Sequence, residues 1–275
     1  MIKNIIGLAG LTAGALLVSA CARTAQDAPF TAQHEERVEE IVRAYLLQNP
    51  EILTEAMQAL RERQTAEEAA RVAQALQEHR DELLADPMSP VGGNPEGTVT
   101  MVEFFDYNCA YCRRAGPVLA EMLKGNPDVR LVYKEFPTLA PSSRFAARAA
   151  LAARHQSPEL YTAFHNALMG AEGPLTAEAV VQIAGEVGVG VERMRADMED
   201  PTIEESVKRN IELARAIGAT GTPTFVVGDA MLVGFKPLAQ MERAIADARS
   251  APTSRGSHQV PAAAEHGAAE AYPDR

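Results

Sequence analysis

An α/β fold preceded by a helical arm is expected for this chain, and three observations carry the expectation. From Thr98 onward, short apolar runs alternate with helical stretches, opening as a βαβ unit and closing as a ββα unit with helices inserted between them. The pair Cys109-Ala110-Tyr111-Cys112 falls at the first junction from strand to helix. Between residues 34 and 86 the apolar residues recur only at helical spacing.

The elements follow in order. Residues 1–20 carry Lys3 and then an apolar stretch from Ile5 to Ala20, which reads as a secretory signal too short for a membrane span. Its end, Leu17-Val18-Ser19-Ala20-Cys21, resembles the bacterial lipobox, so Cys21 is the expected lipidation site. Several acyl chains on one cysteine would hold stably where a single chain binds only marginally. Ala22, rather than an acidic residue, follows Cys21, which by that resemblance favours the outer membrane. An ordinary signal cleaved near Ala20 or Ala22, or an uncleaved anchor, stays open. Residues 21–33 read as a flexible tether.

Val38, Ile41, Val42, Tyr45 and Leu46 mark a first helix, Asn49-Pro50 a break, and Ile52, Leu53, Ala56, Met57 and Leu60 a second. A charged helix with a thin apolar stripe is expected from about Gln64 to Leu84. Stripes this narrow hold no core alone, so residues 34–86 pack on their own domain, act as a spacer or join copies into a homo-oligomer. Residues 87–97, rich in Pro and Gly, read as a linker. Strands are then expected at Thr98–Phe105 and Val129–Phe136 around a helix at Ala110–Lys124. A helical block spans about 142–217, short strands lie at Thr224–Gly228 and Met231–Gly234, and a last helix covers Pro237–Arg249. Residues 250–275 carry no periodicity and read as a disordered tail.

Composition narrows the function. A formal net charge of −11 opposes nucleic-acid binding and adhesion to anionic lipid. Of three cysteines, Cys21 is accounted for by the signal segment, leaving Cys109 and Cys112 in an exported and hence oxidising setting. A structural staple closing so short a loop would stabilise little. Zinc needs four ligands, and His34, His79, His155, His165, His258 and His266 are scattered, so no metal site and no cofactor beyond the cysteine pair is expected. The first cysteine sits where a helix N-terminus favours an anion, which depresses a thiol to about 3.5–7.5. Cys109 is therefore the nucleophile, and Cys112, one turn on, resolves the mixed disulfide. Glu103, inside an apolar strand, is costly to bury and would be a raised acid–base group serving Cys112, unless that strand is an edge with Glu103 facing water. Lys134 on the next strand is either its charge partner or an exposed lysine. Met101, Phe104, Phe105 and Phe225 fill the core. Tyr107 is read as lining a peptide groove and Tyr111 as contacting substrate.

Val102-Glu103-Phe104-Phe105-Asp106-Tyr107-Asn108-Cys109-Ala110-Tyr111-Cys112 resembles the active-site segment of the DsbA family of thiol–disulfide oxidoreductases. Gly218-Ala219-Thr220-Gly221-Thr222-Pro223-Thr224-Phe225 resembles that family's cis-proline loop. The stretch from Arg43 to Leu53 is similar to the N-terminal segment of the ScsC-like and Com1-like branch, which can mediate oligomerisation. The resemblance implies a thioredoxin fold with an inserted helical domain over residues 98–249. It also implies a cis Thr222–Pro223 bond that sets the Thr222 backbone beside the sulfurs to pair with substrate.

Strongly oxidising members carry Pro-His between the cysteines. Ala110-Tyr111 departs from that and is closer to the Gly-Tyr of bacterial disulfide isomerases. The expected activity is formation, reduction or isomerisation of disulfides in exported client proteins, with isomerase or reductase favoured and a separate membrane redox partner recycling the pair. A monomeric DsbA-like oxidase, a Cu(I)-binding copper-tolerance protein holding the metal on two thiolates, and an anchored adhesin or antigen are the alternatives. The expected location is the periplasm-facing side of the cell envelope.

Overall fold

The structure, a computed structural model, describes residues 31–250. The expected signal, the lipidation site Cys21, most of the tether and the tail from residue 251 lie outside the described residues. Helix α1 (Ala32–Gln48) ends where Asn49 folds back, its backbone and side-chain N–H groups both donating to the Tyr45 carbonyl. Pro50 then begins a new direction, and α2 runs over Glu51–Glu78. The expected break near Gln64 is absent, and the interruption comes instead at His79, before the short α3 (Arg80–Leu84). No helix among the described residues is long and apolar enough to cross a membrane.

The chain divides into two units between Ala66 and Glu67, well before the boundary at residue 86 that composition suggested. The reason lies in Leu76 and Leu83, which are buried in a core with Val102, Phe104, Val132 and Leu213. In the first unit α1 buries none of its residues, and Val38, Ile41, Val42, Tyr45, Leu53, Met57 and Leu60 are all exposed.

The second unit is built on a five-stranded sheet, β1 (Val91–Gly93), β2 (Val99–Phe105), β3 (Val129–Glu135), β4 (Thr224–Val227) and β5 (Ala230–Val233), in the order β1-β3-β2-β4-β5. Only β2 and β3 run parallel, joined by α4 (Ala110–Gly125) as their crossover. Strand β1 was expected to be linker. It pairs antiparallel with β3, Val91 opposite Val132, and Gly93 takes φ +66° where a Cβ would lie 2.6 Å from the Val129 carbonyl. Three residues with two glycines carry no strand periodicity, so the pairing is a tertiary effect.

Strand β2 is central and buried on both faces, which explains its nearly continuous apolar run. Met101 packs with Leu131 and Phe225 beneath α4 and α10 (Leu238–Ser250). Val102 and Phe104 face the opposite core, closed by α9 (Pro201–Ala216) and α3. Between β3 and β4 the insertion comprises α5 (Pro141–Gln156), α6 (Pro158–Gly170), α7 (Ala177–Glu186), α8 (Val191–Asp197) and α9. Helix α5 is its axis: Ala146, Ala147, Ala149, Ala150, Ala152 and Ala153 are all buried, and small side chains let neighbouring helices approach. The expected helical block and the terminal ββα unit agree with these spans to within two residues or so, and the whole is a thioredoxin fold with a helical insertion.

Candidate active site

Strand β2 ends at Phe105, and the next four residues turn the chain into α4. Asp106 makes that turn. One carboxylate oxygen accepts the Asn108 backbone N–H at 2.8 Å, and the other accepts those of Thr138 and Leu139 at 2.9 and 3.0 Å. Asn108 donates to Ser142 and Ser143 at 3.2 and 3.1 Å and accepts the Leu175 N–H at 2.9 Å. Arg113 donates to the carbonyls of Tyr107, Ala171 and Gly173. These three polar residues fasten the turn to the start of the insertion and to the connection between α6 and α7. Sequence reasoning missed them, although Asp-x-Asn before a helix is itself a turn signal.

Cys109 is the N-cap of α4, and its sulfur accepts the Cys112 backbone N–H at 3.4 Å. Both cysteines are present as thiols, 6% and 1% exposed. The hydrogen bond from the Cys112 thiol, helped by Thr222 and the backbone N–H groups of Tyr111 and Cys112, draws Cys109 down to about 5 against the opposing effect of burial. Burial pushes Cys112 far above the ordinary thiol range, and its bond to Cys109 adds to that. The pair is thus a thiolate with a proton-holding partner.

The Thr222–Pro223 peptide is cis, and the Cys109 sulfur lies 3.3 Å from the Thr222 carbonyl oxygen, which accepts its S–H while the thiol is protonated. Pro223 and Thr222 therefore stand beside the reactive sulfur, as the resemblance implied. Tyr111 is 61% exposed next to it, with Leu139 and Val233 also exposed.

Glu103 is 1% exposed on the central strand, so the alternative of a water-facing edge residue is excluded. Burial raises its carboxyl to about 8, with the Cys109 charge contributing, and neither oxygen has a hydrogen-bond partner among the described residues. Two expectations need correction. Lys134 is not the partner of Glu103: the register places Tyr133 opposite Glu103, and strand alternation turns Lys134 to the other face. Nor is Lys134 exposed. Its ammonium is buried against the Glu82 carbonyl at 2.7 Å and the Asp86 carboxylate at 3.0 Å. Tyr107 lines no peptide groove, because it is 1% exposed and its hydroxyl donates inward to Glu135 at 3.0 Å. That inner cluster joins residues 107, 135, 161 and 165, separations at which no local pattern could have found it.

Comparison with known proteins bears on this geometry. Residues 100–246 match the DSBA-like thioredoxin domain, and residues 35–67 match the N-terminal domain of the copper resistance protein ScsC. A thioredoxin-like oxidoreductase from Silicibacter pomeroyi is 50% identical, covers 63% of this chain and 99% of its own, and superposes with a TM-score of 0.61. BcfH of Salmonella enterica Typhimurium is 32% identical over 79% of this chain and 96% of its own, with a TM-score of 0.67. A Na(+)/H(+) antiporter NhaA of Herminiimonas arsenicoxydans is 32% identical over 157 residues, 55% of this chain. The chain spans only a quarter of that antiporter's length.

Proposed function

This chain belongs to the DsbA family, in its ScsC-like branch, and from that premise we propose that it is a thiol–disulfide oxidoreductase acting on exported proteins. The observation that carries the reading is the thiolate site of Cys109, the N-cap of α4, whose sulfur accepts the Cys112 backbone N–H. The Cys109 thiolate attacks one sulfur of a client disulfide, forming a mixed disulfide and releasing the other client sulfur as a thiolate. A second client thiolate can then attack the mixed disulfide and regenerate Cys109, which is isomerisation. Alternatively, Cys112 attacks Cys109, the client leaves reduced, and the pair closes as a disulfide. For that step the Cys112 proton must leave, and the buried Glu103 carboxylate, whose charge acts on Cys112, is by this reading the group that takes it. The Thr222 backbone beside the reactive sulfur suits pairing with an extended client chain, and the exposed Tyr111, Leu139 and Val233 offer it apolar contact.

Isomerase or reductase is the finer reading. Tyr111 supplies no cation beside Cys109, and the exposed stripes of the first unit offer a means of joining several sites. A membrane redox protein recycles the pair, and acylation at Cys21 holds the chain to the envelope, by this reading at the outer membrane. The test is refolding of a scrambled-disulfide client by residues 22–275, with Cys109→Ser as control. Reactivation that the control lacks supports isomerisation. Fast oxidation of a reduced client without reactivation makes it an oxidase. The match to a copper resistance domain favours one further reading, Cu(I) held by the Cys109 and Cys112 thiolates. Copper binding that survives Cys109→Ser would contradict it.

A further inference from the structure

Glu103 is not the only carboxyl enclosed on its face of the sheet. Glu135 is also 1% exposed, and it lies on the same face of the sheet. The parallel register sets Glu103 opposite Tyr133 and Phe105 opposite Glu135, so the two glutamates are diagonal neighbours. Strand spacing and rise put their backbones about 8 Å apart. Their surroundings differ. Glu103 has no hydrogen-bond partner among the described residues, whereas one oxygen of Glu135 accepts from Tyr107 at 3.0 Å and from Tyr161 at 3.4 Å. The Tyr107 hydroxyl also lies 3.1 Å from His165 Nδ1.

This chain can hold a proton in two ways. With Glu135 ionised, Tyr107 donates to the carboxylate and His165 Nδ1–H donates to Tyr107. With Glu135 protonated on its second oxygen, which otherwise has no partner among the described residues, Tyr107 keeps its bond to the first and His165 keeps its tautomer. His165 stays neutral in both states, since burial draws it down to about 3. The buried Glu135 therefore exchanges one proton without moving a side chain.

We propose that Glu135 is a second buried proton site of the thiol–disulfide centre, a positioning residue that acts through Glu103 and shares with it the proton released by Cys112. The proposal rests on the reading of Glu103 as the group that takes that proton. Two carboxyls enclosed on one face of a sheet with their backbones about 8 Å apart do not ionise independently; for charges separated by about that distance, the first weakens the second acid by about thirtyfold. Asp106 and Glu103 press on Glu135 from β2 and its following turn, Tyr161 faces it from α6, Tyr133 shares its face of β3, and His165 meets it only through Tyr107 and the rings of Tyr133 and Tyr161.

In the step at issue, the Cys112 thiol gives its proton to the carboxyl pair, its sulfur attacks Cys109 in a mixed disulfide, and the departing thiolate takes a proton from water. The experiment follows that step. The full chain is loaded at Cys109 with glutathione, and glutathione release is timed from pH 5 to 10. Wild type should accelerate in two stages separated by at least thirtyfold in proton concentration. Glu135→Gln should leave one stage. Glu103→Gln should leave only a shallow stage and slow the plateau by about a hundredfold. A two-stage profile kept by Glu135→Gln while Glu103→Gln loses one overturns the inference alone. A profile unaltered by Glu103→Gln overturns the reading beneath it. Should Glu135→Gln not fold, carbon-13 titration of glutamate carboxyls in the wild type decides: two buried carboxyls titrating above the ordinary range support the pair, and a single one overturns it.

Discussion

Cys109 and Cys112 are the same residue three positions apart, yet one is drawn down to about 5 and the other is pushed far above the thiol range. Spacing and position before a helix made both legible in the sequence, because the chemistry depends on local geometry. Glu103 was legible for a similar reason, being a carboxylate in an otherwise apolar strand. Lys134 and Tyr107 were misread because a face and a direction had to be assigned without the register. The difference at Cys109 has a thermodynamic consequence. An unfolded thiol titrates near about 8.5, so between about pH 5 and 8.5 the unfolded dithiol chain binds more protons than the folded one. Stability of the dithiol form therefore rises with pH across that window and is lost as pH falls through 5. Glu103, raised to about 8 in the dithiol form, pulls the opposite way, and its main cause, burial, is common to both redox forms. Melting temperatures of the reduced and oxidised protein, compared from pH 4.5 to 9, should diverge in favour of the reduced form as pH rises. A constant gap would show that Cys109 is an ordinary thiol.

From Thr98 onward the helices and strands were placed from the sequence to within two residues or so, whereas β1 and the unbroken length of α2 were not. Its Val-Gly-Gly pairs because β3 offers an open edge and because the connector before it is anchored. Ser89 and Pro90 are buried, the Pro90 carbonyl accepts the Tyr133 N–H at 2.9 Å, and Asp86 reaches the buried Lys134. The stretch that composition labels a linker is thus a clamp within the second unit. Lys134 is pulled below its ordinary range by burial, with Asp86 opposing, and Asp86 is held below its own by Lys134 despite burial. Removing the acid leaves a buried ammonium whose other described partner is the Glu82 carbonyl. Asp86→Ala should therefore cost about 3 kcal/mol in urea unfolding. A loss under about 1 kcal/mol would mean the connector is not anchored by this pair.

Among the described residues, the second unit encloses most of its large apolar side chains and the first leaves a set of its own exposed. Val38, Ile41, Val42 and Tyr45 on α1, with Leu53, Met57 and Leu60 on α2, lie within or beside the 35–67 match to the ScsC N-terminal domain. Fully burying such a side chain contributes about 1.5–3 kcal/mol. Association costs roughly 4–15 kcal/mol before any contact counts. Stripes of this size contributed by two or more copies are therefore enough to hold an oligomer, whereas one or two side chains are not. The signal-free chain should accordingly show a native mass that is a multiple of the monomer's. Ile41→Asp combined with Leu53→Asp should reduce it to the monomer, since a carboxylate on each helix makes burial unfavourable. The Cys109 site lies in the other unit, so oxidation of a small dithiol should proceed at the same rate in both forms. Recovery of a scrambled client should fall, because shuffling several bonds in one molecule benefits from neighbouring thiolates at high effective concentration. A wild-type chain that runs as a monomer, or a monomeric variant that reactivates the client as well as wild type, would assign the exposed stripes another role and favour the oxidase or simple reductase.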